Sequence, residues 1–71
     1  MSRTMKKIRV IEEDEESISF KYKDSELSGE YRLCKRWPGD YIHNMSDKNG
    51  TLIDTSRAQR IVDVMKAEDV I

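Results

Sequence analysis

Cysteine is almost missing from this sequence: Cys34 stands alone among 71 residues. No disulfide can form within the chain, although a cross-link is a natural staple for an exported domain this small. The compartment expected is therefore the cytoplasm. Proline occurs once and glycine three times, and there is no repeat, low-complexity stretch or interdomain linker. No apolar run approaches the ~20 residues of a membrane span. The basic start, residues 1–7, has no apolar stretch behind it, so it does not read as a signal peptide. An excess of one charge is lacking too. Thirteen basic residues face fourteen acidic ones, for a net charge of −1. That argues against a nucleic-acid-binding protein working by bulk charge.

What is present is one domain's worth of chain, residues 1–71, with residues 1–5 expected as a flexible N-terminus. A domain of this length buries roughly 60% of its unfolded surface. The candidate core is Ile8, Val10, Ile18, Phe20, Tyr22, Tyr31, Leu33, Ile42, Leu52, Ala58, Ile61, Val62 and Met65. Such a core suffices for one sheet and one helix and leaves little to line a deep substrate pocket, so an enzyme is not expected.

Periodicity orders the chain. Residues 6–11 place Ile8 and Val10 on one side and Lys7, Arg9 and Ile11 on the other, a half-buried strand. Residues 12–16 are five consecutive acids, a turn over which residues 17–23 fold back with Ile18, Phe20 and Tyr22 inward. Residues 24–29 are loop by composition, and residues 30–36 make a third strand with Tyr31 and Leu33 inward. Pro38-Gly39-Asp40 signals a tight turn. Residues 41–45 read as a fourth strand, Asn49-Gly50 as a hairpin turn, and residues 51–53 as a brief fifth strand. Asp54, Thr55 or Ser56 then caps a helix running to about Ala67, with Ala58, Ile61, Val62 and Met65 on one stripe. The expected fold is α+β: a small antiparallel β-meander of four or five strands with one C-terminal helix. A small SH3-like barrel with a C-terminal helix is the alternative.

No constellation of catalytic or metal-binding residues is complete. The acid run diverges along turn and strand, so it cannot converge on a cation, and a solvated turn that discourages edge pairing is the simpler reading. The segment around Asp47-Lys48-Asn49-Gly50 resembles a calcium loop only in part: its first carboxylate and its final glutamate are missing. Cys34 and His43 are two ligands where structural zinc needs four. As a nucleophile–base pair they have no orienting third group. No metal and no cofactor are expected.

Two features do not fit a purely structural reading. Residues 32–62 carry six bases and three acids while both flanking segments are acidic, and the same stretch holds Trp37, Tyr41 and His43. Bases beside aromatics suit either a protein hot spot or a phosphate-and-base surface. The helix is also charged against its dipole, with Arg57 and Arg60 in its first turns and Glu68 and Asp69 at its end. The two features together mark Lys35, Arg36, Trp37, Tyr41, Arg57 and Arg60 as a candidate partner-binding corner. The expected function is a small non-enzymatic regulatory or accessory protein that binds another protein, or a second copy of itself as a two-fold dimer. The alternative is nucleic acid or another phosphate ligand bound through residues 32–60.

Overall fold

The computed structural model describes residues 6–71; the expected flexible N-terminus, residues 1–5, lies outside the described residues. The alternating runs become three consecutive strands, β1 (Ile8–Glu13), β2 (Ser17–Lys23) and β3 (Ser28–Cys34). A 3-10 turn at Tyr41–His43, a short strand β4 (Met45–Asp47) and a helix α1 (Thr55–Ala67) follow. All neighbouring strands pair antiparallel in the order β1-β2-β3-β4. This is the expected meander with a C-terminal helix. The sheet is open, with β1 and β4 at its edges, so the barrel alternative is set aside. Among the described residues no helix is long and apolar enough to cross a membrane.

Aspartates key the connections. Asp14 Oδ1 accepts the backbone N–H groups of Glu16 and Ser17, both at 2.8 Å. Asp24 Oδ1 accepts those of Glu26 and Leu27 at 2.8 and 2.7 Å. Asp47 Oδ1 accepts those of Asn49 and Thr51 at 2.8 and 3.1 Å. Asp54 Oδ2 accepts Arg57 N–H at 3.1 Å as the helix cap. A short carboxylate can bond backbone two to four residues on, which is why these positions turn. The amides of Ser17 and Glu16 hold the Asp14 carboxyl below its ordinary value. Asp14 thus gives the acid run a structural member.

Side-chain alternation then sorts the two faces. Ile8, Ile18, Phe20, Tyr22, Tyr31, Leu33 and Met45 from the sheet meet Ala58, Ile61, Val62 and Met65 from α1, and these eleven residues form the buried core. The Phe20 and Tyr31 rings, opposite each other on β2 and β3, lie 6.1 Å apart. The helix stripe is the one expected.

Elsewhere the register corrects the sequence reading. Val10 lies opposite Phe20 yet is 44% exposed. β1 has a neighbour on one side only, and a bulge between Val10 and Glu12 bends the strand there. The expected fourth strand forms later, at Met45–Asp47, because residues 41–43 coil into the 3-10 turn. Met45, absent from the candidate core, is completely buried opposite Leu33, and Ile42 is only half-buried. The expected fifth strand shrinks to one bridge, Ser46 with Leu52. That pairing puts Leu52 in the same row as Arg32 and Ser46, on the face away from α1, where it is 66% exposed. The third strand starts earlier than expected, at Ser28, and ends at Cys34.

The reversed helix charges have structural partners. Glu68 caps the start of β1, its carboxylate accepting the N–H of Lys7 at 2.8 Å and of Ile8 at 3.3 Å. Arg60 reaches Asp24 and Glu26 beyond β2. Asp69 ends the helix with φ of +63°, a conformation that glycine adopts without a Cβ clash. Asp69→Gly is therefore expected to stabilise the protein by about 1 kcal/mol, with removal of an acid from the helix end adding to the gain. An unchanged or lowered melting temperature would count against this.

Candidate functional site

The residues singled out by the sequence divide between the two ends of the sheet. β3 runs out beside the β1–β2 turn, where Lys35 N–H donates to Glu16 O at 2.7 Å. The Lys35 ammonium lies 2.8 Å from Glu13 Oε2 and Arg36 Nε 3.8 Å from Glu16 Oε2. The chain then reverses at Trp37-Pro38-Gly39-Asp40, with Asp40 N–H donating to Trp37 O at 2.9 Å. Pro38 presets φ for this turn. Residues 38–42 face Gln59, Val62 and Lys66 of α1, and Tyr41 is half-buried against the core. The end of the turn is braced by polar contacts. Asn44 Nδ2 donates to Asp40 O at 2.6 Å, and His43 Nδ1 lies 2.5 Å from the Asp40 carboxylate. On this turn Trp37 is 53% exposed, with the Arg36 guanidinium 5.8 Å from its ring centre, within cation–π distance.

Arg57 and Arg60 lie at the other end. Arg60 Nε donates to Asp24 Oδ2 at 3.0 Å and Nη1 lies 2.9 Å from Glu26 Oε1. Asp24 also accepts the Tyr22 hydroxyl, and its carboxylate side chain is 4% exposed. Arg57 sits 3.6 Å from its own cap, Asp54. Glu16 and Asp24 bracket β2, a span of roughly 25 Å at the rise of a strand. The single corner of six residues is thus not formed. Lys35, Arg36, Trp37 and Tyr41 stay together; Arg57 and Arg60 belong to a different neighbourhood, and Arg60 has carboxylates of its own.

Folding also redistributes charge. The positive middle segment loses its excess at one end, because the five acids of residues 12–16 come to the same end as Lys35 and Arg36. Lys21, Lys23 and Lys48, which have no carboxylate in salt-bridge reach among the described residues, line an open groove around the first half of β3 together with Arg57. No sequence signal pointed to this groove, because its residues come from four separate segments. Among the described residues no three of His, Cys, Asp and Glu converge on a metal position. Cys34 is half-buried, as a free thiol. No family model, curated protein or solved structure matches this chain.

Proposed function

We propose that this chain is a small, non-enzymatic accessory protein of the cytoplasm that acts by binding another protein through the end of the sheet bearing Trp37. The observation that carries the reading is the indole itself. Phe20, Tyr22 and Tyr31 are buried in the core, whereas Trp37, the largest side chain, is half exposed on a proline-braced turn beside Arg36. In a domain this short of apolar area, leaving that surface in water forgoes burial the fold would otherwise gain. Tryptophan and arginine together are the side chains that dominate protein hot spots.

The alternative, nucleic acid or another phosphate ligand, is less well supported. Lys35 and Arg36 are matched by Glu13 and Glu16. The β-sheet aromatics that would stack on bases are buried beneath α1. Self-association by β1 pairing is weakened by the bulge and by Glu68, which already occupies the N–H groups of Lys7 and Ile8.

The test is affinity capture with wild type and Trp37→Ala as parallel baits, followed by titration of the purified partner. Trp37→Ala is expected to fold with stability within about 1 kcal/mol of wild type, since the residue lies outside the core, and to lose the partner. Binding by the wild type should depend weakly on salt. Unfolding of Trp37→Ala would show that the indole supports the core, and undiminished binding would move the interface elsewhere.

A further inference from the structure

We infer that the uncovered edge of β3 is a second binding site, one that accepts an extended acidic peptide as an added strand. The site follows from the lengths of the strands. β3 spans Ser28–Cys34, but β4 pairs only with Tyr31, Arg32 and Leu33. Cys34 N–H donates to Asn44 O on the β4 side, while Lys35 N–H turns to Glu16 on the β2 side. Backbone groups alternate along a strand, so the N–H and C=O of Arg32, Glu30 and Ser28 share the side of Cys34. Arg32 meets Ser46 of β4. Ser28 and Glu30 face the edge after β4 has ended, with no strand opposite them.

A groove of about 490 Å³ runs along this edge, within the roughly 300–1,000 Å³ typical of ligand sites. Gly29 lies between the two free backbone positions. A Cβ there would come within 3.2 Å of the Tyr31 hydroxyl, so the aromatic side chain occupies that space and provides an apolar wall. Lys21, Lys23, Lys48 and Arg57 line the groove. The lysines have no carboxylate in salt-bridge reach among the described residues. Asp47 is turned to the amides of Asn49 and Thr51, which leaves Glu30 as the one lining carboxylate without such a bond among the described residues. An added strand gains affinity from main-chain hydrogen bonds and specificity from alternate side chains. Here those side chains meet bases, so glutamates or aspartates at alternate positions are the matching chemistry.

The occupant is a segment of another protein, for two reasons. Of the edges a second copy could offer, β1 is bulged and capped by Glu68, β4 is covered by residues 51–53, and its own β3 would set lysines against lysines. Nucleic acid has no strand-like donors and acceptors to continue the ladder. The site is separate from the Trp37 end and stands or falls without it.

The test uses a short synthetic peptide of alternating valine and glutamate, and the same peptide N-methylated on alternate backbone nitrogens. Amide hydrogen exchange and fluorescence anisotropy of the labelled peptide are the readouts. The first peptide is expected to slow exchange at Ser28 and Glu30, and the methylated one to bind at least about tenfold more weakly. Lys48→Glu with Arg57→Glu should weaken binding about tenfold or more, whereas Trp37→Ala should leave it unchanged. Glu30→Pro, which deletes an edge-facing N–H that a folded edge strand can spare, should also abolish it. Equal binding of both peptides would mean charge attraction alone and overturn strand addition. Protection of the same amides by a second copy at high concentration, or by an oligonucleotide, would overturn the acidic-peptide assignment, as would no protection at all.

Discussion

Phe20→Ala is expected to remove about 3–5 kcal/mol of stability. A domain of this length holds only about 4–10 kcal/mol in total, so the variant should be partly or wholly unfolded at room temperature. The reason is its position. Phe20 is the middle inward residue of β2, fully buried between Ile18 and Tyr22 along the strand and against the Tyr31 ring across it. Its removal leaves a cavity bounded by sheet and helix, and neither can relax without losing its own contacts. Val10→Ala supplies the contrast. Val10 faces Phe20 in the register, but it is a partly exposed edge residue, and its truncation should cost under about 1 kcal/mol. Urea unfolding of the two variants checks both. Equal midpoints would mean that the inward face of β2 is not the centre of the core.

The second large effect is the dependence of stability on pH at the Tyr22–Asp24–Arg60 cluster. The Tyr22 hydroxyl, the amides of Glu26 and Leu27 and the nearby Arg60 guanidinium hold the Asp24 carboxyl well below its ordinary 3.8. A carboxyl depressed in the folded state adds stability above its unfolded value, and that contribution is lost as pH falls below about 4. Burial, then the hydrogen bond to Asp24, raises the Tyr22 hydroxyl above its ordinary 10.0. A group raised in the folded state stabilises below its unfolded value, and its contribution is lost as pH climbs past about 10. The same hydrogen bond thus makes stability fall on both sides. Tyr22→Phe deletes it, should cost about 1–3 kcal/mol at neutral pH, and should flatten both limbs of melting temperature against pH. Limbs as steep as those of wild type would place the titrating groups elsewhere.

Much of the fold was legible in the residues themselves. Ile18, Phe20 and Tyr22 alternate without interruption, and Ala58, Ile61, Val62 and Met65 recur at helical spacing. Both patterns buried the side chains that local geometry says they should. Legibility failed where a neighbour decided the outcome. Val10 and Leu52 alternate correctly within their own segments, but an edge and a one-residue bridge leave them exposed. Met45 carries no periodic signal in a three-residue strand, and only its position opposite Leu33 buries it.

The candidate site divides in the same way. The local sequence placed Lys35, Arg36, Trp37 and Tyr41 around one proline turn, because four residues in so short a span cannot separate far. It had no means of placing Arg57 and Arg60, since that depends on which end of the sheet the helix starts from. The helix charges ran against the macrodipole for a reason invisible in sequence: Arg60 and Glu68 answer Asp24, Glu26 and the first amides of β1, tens of residues away. Strand order, turns and the buried stripes were determined by local alternation, capping and φ preferences, which act over a few neighbours. Charge balance at each end, the exposure of each edge and the open groove of β3 were decided only by tertiary structure. Antiparallel pairing and helix docking bring together groups whose separation along the chain encodes nothing of their distance in space.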